Sequence, residues 1–453
     1  MNKKVMVTGA NGFVGSHIVD ALLRNGYEVR AMVRETSDLT WLKEKPVEIC
    51  IGDLHNEKAL LDAVDGVSSV IHNAGIVSAS NKYLYYRYNS EGTQNLLEAI
   101  LKANPKLDRF VYVSSQAAGG PTAGDRLKTE EEVSNPVTDY GKSKLLAEAI
   151  LKRYYDKLPI SIVRPPSVYG PRDLAFLPMF KMILKGIQPT FGQGRQVSIV
   201  HVQDLARQIL LQMENDAAIG EIFYSAPFEP VSFEEFGKVI QKVVSSNARV
   251  IKIPDKFLKY GYPVVYPLIK GVGVKPPIGV DKIPEFMQKR WTISGDKATT
   301  VLGFEGKLPL DQGVGQTAEW YRWKKWIKTH RDVLKEKGQA LISRRFLDGK
   351  ERDFDNSCDL CALTFDGEIK TKKHYEDDQF VIVDCMICRV PMAVLKEHRA
   401  SFTEEEKVRL LEIFKDLFGN EAHPDFEQRR IPEHAHVHYR TMLHAPPWVK
   451  RPE

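Results

Sequence analysis

No stretch of the 453 residues reaches the roughly 18 uninterrupted apolar positions that a membrane-spanning helix requires. The first strand-like run begins at Lys4, which leaves no room for a secretory leader, so a cytoplasmic location is expected. Charge of one sign is scarce as well. The chain has 64 Lys and Arg against 59 Asp and Glu, a formal +5, too little to argue for nucleic acid as a partner. Cysteine is scarce too: only Cys50 precedes residue 358, which excludes a disulfide framework over most of the chain. Cys50 itself reads as a small buried hydrophobe in a strand. What is present in quantity is apolar material, 43% of residues, enough to bury more than one core.

The most informative segment is Val5-Met6-Val7-Thr8-Gly9-Ala10-Asn11-Gly12-Phe13-Val14-Gly15, a short apolar run closed by three glycines spaced three apart. An amphipathic stretch from Ser16 to Arg24 follows. Glycine is needed where the backbone turns tightly, approaches a pyrophosphate or lets a helix pack on a strand. The following helix offers unpaired N–H groups and the positive end of its dipole to the phosphates. The turn Gly9, Asn11, Gly12, Phe13, Val14 and Gly15 is therefore a candidate dinucleotide site. A second strand, Glu28 to Val33, ends at Arg34, a basic residue where NADP presents its 2′-phosphate and NAD a ribose hydroxyl. A third, Val47 to Ile51, is closed by Gly52-Asp53-Leu54, where Asp53 can accept from the adenine amino group. A fourth, Ser69 to His72, opens into Asn73-Ala74-Gly75, small enough for close passage of a cofactor. Strands alternating with helices predict a doubly wound parallel α/β sheet of the Rossmann kind, with ligands at the carboxyl ends of its strands.

A further buried strand, Phe110 to Val113, ends in Ser114-Ser115. Downstream comes Tyr140-Gly141-Lys142-Ser143-Lys144 at the start of a helix, which places Tyr140 and Lys144 on one helical face. A phenol of pKa near ~10 is a poor acid–base group at neutral pH. A nearby ammonium favours the phenolate, and the same ammonium can hold a nicotinamide ribose. A serine hydroxyl can orient the substrate oxygen.

On these motifs the chain resembles the extended short-chain dehydrogenase/reductase family over about residues 1–328. That family holds nucleotide-sugar epimerases and dehydratases, dihydroflavonol reductases and 3β-hydroxysteroid dehydrogenases. Tyr88-Asn89-Ser90-Glu91-Gly92 resembles the helix that carries an active-site asparagine, here Asn89. Val163-Arg164-Pro165-Pro166-Ser167-Val168-Tyr169-Gly170-Pro171 resembles the strand and loop that pack on the nicotinamide, with Pro165 and Val168 as contacts. Val200-His201-Val202-Gln203-Asp204 resembles the later strand-to-helix motif. The resemblance implies Ser115, Tyr140 and Lys144 as a catalytic triad, with Ser114 as the alternative serine, a small-molecule substrate and a homodimer. It implies an NADP- or NAD-dependent oxidoreductase acting on a secondary alcohol or ketone. A nucleotide-sugar epimerase or dehydratase is the alternative within the fold, and a non-catalytic cofactor-binding regulatory protein the alternative outside it.

The substrate lobe is expected mainly in residues 172–195 and 225–310. Its segment 255–290 carries Phe257, Tyr260, Tyr262 and Tyr266, with Lys259, Lys270 and Lys275 spread among them. That composition favours a hydrophobic substrate over a diphosphate. Trp320, Trp323 and Trp326 lie among Arg322, Lys324, Lys325 and Lys328. Such a helix either docks on its own core or touches a membrane surface.

Residues 329–355 are mostly charged and read as a linker. Beyond them, residues 356–453 form a separate domain with Cys358-Asp359-Leu360-Cys361, Cys385-Met386-Ile387-Cys388, His398 and His434-Ala435-His436-Val437-His438. Paired C-x-x-C with histidines points to zinc rather than disulfides. Over about residues 356–440 this tail resembles the histidine-triad superfamily of nucleotide hydrolases and transferases, a small α+β fold. The resemblance implies Cys358, Cys361, His398 and His434 as zinc ligands, with Cys385 and Cys388 as the alternative pair. It also implies His436 as a nucleophile, or else a zinc-stabilised binding module without turnover.

Overall fold

The computed structural model describes residues 3–122, 124–192, 194–271, 279–328, 373–376, 380–384, 391–395, 402–418, 422–425 and 436–441. The chain divides into two compact units, one within Met1–Ile327 and one within Lys328–Val449.

The first unit is built on strands β1 (Lys4–Thr8), β2 (Glu28–Val33), β3 (Val47–Ile51), β4 (Ser69–His72), β5 (Arg109–Val113) and β6 (Ile160–Arg164). With Ile222–Tyr224 they form one seven-stranded parallel sheet in the order Ile222–Tyr224, β6, β5, β4, β1, β2, β3. The connecting helices are α1 (Phe13–Arg24), α2 (Glu57–Val64), α3 (Lys82–Tyr86), α4 (Gly92–Ala103), α5 (Gln116–Gly119) and α6 (Asp139–Lys152).

Alternation along the strands sorts side chains to two cores. Met6, Met32, Val70, Phe110 and Ile160 pack beneath α2, α4 and α6. Val5, Val7, Val29, Ile71 and Val111 pack beneath α1 and the helix Val202–Glu214. The strand order reverses between β1 and β4, so the crevice at their carboxyl ends is the expected ligand site. Cys50 sits on β3 at the edge of the sheet and is half-buried, not fully buried as expected, because among the described residues no further strand pairs with that edge. Burial still pushes its thiol pKa up.

A smaller lobe carries the parallel pair Ile187–Phe191 and Arg249–Ile253. It also holds a short sheet in which Gln196–Val197 lies between Val231–Ser232 and Arg290–Trp291. Its core gathers Phe180, Phe236, Ile240, Val314 and Tyr321. The helix Leu310–Trp323 buries Val314, Ala318 and Tyr321, and Trp320 and Trp326 pack on the same cluster. Of the tryptophan stripe only Trp323 is substantially exposed, at 50%. The membrane-surface reading of this helix is thereby corrected, because its apolar face is taken up by its own core. Among the aromatics of 255–290, Tyr262 is buried while Phe257 and Tyr260 are exposed. Among the described residues, no helix is long and apolar enough to cross a membrane.

The second unit holds a five-stranded antiparallel sheet ordered Lys373–Glu376, Phe380–Asp384, Pro391–Leu395, His436–Thr441, Ala422–Asp425. Its helix Glu404–Phe418 opens on a reciprocal cap. The Glu406 N–H donates to Thr403 Oγ1 at 3.3 Å and the Thr403 N–H to Glu406 Oε2 at 2.8 Å.

Candidate active site

The glycine turn folds as its spacing requires. Gly9 adopts φ +65°, and a Cβ there would lie 2.9 Å from the Ala74 Cα in the loop after β4. A Cβ on Gly15 would lie 2.1 Å from the Gly9 carbonyl oxygen. Both positions are closed to any side chain, so the turn and α1 approach as closely as backbone permits. Gly12 caps α1 without a side-chain hydrogen bond, which leaves the first-turn N–H groups available to a ligand. Thr8 Oγ1 accepts the Ala74 N–H at 3.0 Å, and Asn73 Nδ2 donates to the Gly9 carbonyl at 3.4 Å, tying the two loops together.

Tyr140 and Lys144 lie in the first turns of α6, whose N-cap Thr138 accepts the Gly141 N–H at 3.1 Å. Both side chains are buried. Burial pushes the Tyr140 phenol up to about 12, with the Ser115 hydroxyl opposing. Burial likewise brings Lys144 down to about 8, with the nearby Glu148 carboxylate opposing. Lys144 Nζ donates to the Val113 carbonyl at 2.9 Å.

The two neighbouring serines have different partners. Ser115 Oγ accepts the Ala117 N–H at 3.1 Å and favours the Tyr140 phenolate, whereas Ser114 Oγ donates to Glu148 Oε1 at 2.5 Å. Glu148 is itself clamped by Arg164, with Nε–Oε1 at 2.9 Å and Nη2–Oε2 at 2.5 Å. Ser114 is thus held by the Glu148–Arg164 pair, while Ser115 is the serine that favours the Tyr140 phenolate.

Asn89 sits in a π-helical turn, Arg87–Glu91, between α3 and α4. Its amide bonds both backbone groups of Ile76 (2.8 and 3.1 Å) and donates to Ser143 Oγ at 2.9 Å. A Cβ on Gly75 would lie 2.8 Å from Asn89 Oδ1 and 3.3 Å from Lys144 Nζ, so these three expected residues converge. His72, one step away, is held between Thr8 Oγ1 (2.7 Å) and Thr93 Oγ1 (3.0 Å), and burial lowers its pKa to about 3. It stays neutral and serves the framework.

The remaining expected cofactor contacts ring the same crevice. Arg34 is exposed at the end of β2, and its N–H donates to Ser37 Oγ at 3.1 Å. Asp53 Oδ1 accepts the His55 N–H at 2.9 Å, and Leu54 is buried against Gly92. The Pro165 carbonyl accepts the Gln116 N–H at 2.8 Å, and half-buried Val168 lies on the strand Ser167–Tyr169.

Sequence reasoning missed the far wall. Tyr85, Ala117, Tyr140 and Trp291 form one buried apolar group. The segment Val280–Phe286 reaches it with three side chains: Asp281 accepts the Tyr85 hydroxyl, Lys282 lies over the Tyr140 ring, and Glu285 accepts Thr138 Oγ1 at 2.8 Å. Thr138 and Glu285 are 147 residues apart, and no local motif announces the pairing.

Cys358, Cys361, Cys385, Cys388, His398 and His434 lie outside the described residues. His436 opens a strand in which it pairs with Val394 and His438 with Met392. Among the described residues no group of three or more His, Cys, Asp or Glu is disposed to hold a metal.

Comparison with known proteins accords with this geometry. A family model described as "NAD dependent epimerase/dehydratase family" matches residues 5–224. Uncharacterized protein y4nL of Sinorhizobium fredii is 30% identical over 70% of this chain and 94% of its own length. Ceramide reductase of Caulobacter vibrioides is 28% identical over 71% and 96%. The crystal structure of UDP-glucuronic acid 4-epimerase from Bacillus cereus, in complex with UDP-glucuronic acid and NAD, superposes with a TM-score of 0.57. It is 24% identical, over 71% of this chain and 99% of that one, and shows likeness of fold. The chain belongs to the NAD-dependent epimerase/dehydratase family and is an enzyme of the extended short-chain dehydrogenase/reductase type.

Proposed function

We propose that the first unit is an NADP-preferring reductase or dehydrogenase of an apolar secondary alcohol or ketone, with Tyr140 as its general acid–base group. The observation that carries the reading is the buried Tyr140 phenol, one helical turn from Lys144 on α6 and walled by Tyr85 and Trp291. Fit to the cofactor rests on the Gly9–Gly15 cradle, which any Cβ would fill, and on the open N-terminus of α1. Gly9, Asn11, Gly12, Phe13, Val14 and Gly15 would hold the pyrophosphate, Arg34 the 2′-phosphate, Asp53 and Leu54 the adenine. Asn73, Ala74, Gly75, Pro165 and Val168 would flank the nicotinamide end. The bound nicotinamide supplies or takes the hydride.

The chain's own residues do the rest. Ser115 orients the substrate oxygen. Tyr140 gives that oxygen its proton in reduction and removes it in oxidation. Lys144 favours the phenolate and holds the ribose. Asn89 fixes the Ile76 backbone and Ser143, which keeps α6 in register with the loop after β4. The apolar wall and the resemblance to a ceramide reductase both favour a hydrophobic substrate. Net NADPH consumption with a panel of long-chain and polycyclic ketones is expected. Turnover of sugar nucleotides without net cofactor consumption would replace this reading with epimerisation.

For the second unit we propose a zinc-stabilised, histidine-triad-like module held by Cys358, Cys361, His398 and His434. The antiparallel sheet, with His436 and His438 two apart on one of its strands, supports it. Metal analysis of the full chain is expected to find one zinc, with two sulfurs and two nitrogens by X-ray absorption. A four-sulfur shell would shift the site to Cys385 and Cys388, and a metal-free folded chain would remove it.

A further inference from the structure

Tyr140 has a second cation that the Tyr-x-x-x-Lys spacing does not supply. The Lys282 Nζ lies 3.9 Å from the centroid of the Tyr140 ring, within the range of a cation–π contact. Lys144 is partly engaged elsewhere: it donates to Val113 O at 2.9 Å and lies 4.8 Å from the centroid of the Tyr112 ring.

Lys282 is anchored in turn. Its Nζ meets Glu285 Oε1 at 3.4 Å, and the same oxygen takes the Thr138 hydroxyl at 2.8 Å. Asp281 takes the hydroxyl of Tyr85, whose ring lies 6.0 Å from that of Tyr140.

The groups around Tyr140 are therefore Tyr112 on β5, Ser115 after β5, Lys144 on α6, Tyr85 on α3, and Asp281, Lys282 and Glu285 from the lobe. Glu285 acts against ionisation of the phenol. An ammonium over the ring acts for it, because phenolate spreads a full negative charge into the ring and phenol does not.

We propose that Lys282 is a positioning residue that acts through Tyr140, its ammonium favouring the phenolate whenever the Val280–Phe286 segment is seated. The proposal rests on Tyr140 being the acid–base group, yet its test needs no substrate. Tyrosinate absorbance of the full chain is titrated with and without bound NADPH, and the Tyr140 signal is isolated by subtracting the Tyr140→Phe titration.

Lys282→Met is expected to move that ionisation up by roughly one pH unit, and Lys282→Arg to leave it within a few tenths of wild type. Unchanged melting temperature and NADPH affinity in Lys282→Met would separate the effect from misfolding. If Lys282→Met unfolds, Lys282→Gln takes its place. Overturning results are identical titrations in wild type and variant, or a wild-type Tyr140 that does not ionise below alkaline unfolding. Full turnover in Tyr140→Phe would remove the acid–base reading instead, a separate outcome.

Discussion

Tyr140 is approached from two sides by elements of different character. On the sheet side, β1, β4, β5 and α6 bring Gly9, Gly75, Ser115 and Lys144 together through backbone contacts too close to admit a Cβ and through the buried Lys144–Val113 hydrogen bond. On the lobe side, Asp281, Lys282 and Glu285 reach the same ring through partly buried ionic and hydroxyl contacts. Contacts of the first kind tolerate almost no adjustment. Contacts of the second kind can break and re-form, because their half-buried polar groups can exchange protein partners for water. The site thus has a fixed half suited to holding a cofactor and an adjustable half suited to admitting a substrate.

Five substitutions sharpen or break that contrast. Tyr140→Phe, at the junction, is expected to cut turnover by about 10²–10⁴ with cofactor affinity retained, measured as kcat beside a binding isotherm. Wild-type turnover would remove the junction altogether. Gly15→Ala forces the α1 backbone away from Gly9 and is expected to weaken cofactor binding by about tenfold or more at any substrate concentration. Retained affinity would show that the fixed half yields after all. Arg34→Asp is expected to lose about tenfold or more in NADPH affinity while NADH affinity holds or improves. An unchanged preference would make Arg34 a solvated surface group.

The smallest effect divides the two serines. Ser114→Ala leaves a Glu148 oxygen short of one bond and is expected to lower stability by about 1–3 kcal/mol with turnover preserved, seen as a denaturation midpoint. Ser115→Ala, by contrast, should lower kcat with little change in the midpoint. The reverse pattern would exchange their roles.

How much of this was legible beforehand depended on how local each signal is. The glycine turn, the strand ends and the four-residue step from Tyr140 to Lys144 are short-range consequences of backbone geometry, so residue type and spacing suffice to read them. The preference for Ser115 over its alternative Ser114 rests on resemblance alone in the sequence, because what engages Ser114 is Glu148 and Arg164, distant in the chain on α6 and β6. The tryptophan helix was ambiguous because its basic residues suit a membrane surface as well as solvent, and only packing on Phe180 and Tyr321 decides. Lys282 was invisible: it has no motif, and tertiary folding alone brings it to Tyr140.

Thr138 joins the two halves. Its single hydroxyl accepts the Gly141 N–H at the start of α6 and donates its proton to Glu285. Unseating Val280–Phe286 frees that proton and loosens the first turn of the helix that carries Tyr140 and Lys144. Amide hydrogen exchange at Gly141 should therefore act as a built-in gauge of lobe closure. It should slow when a ligand draws the lobe in and quicken in Glu285→Ala, while amides in the middle of α6 keep their protection.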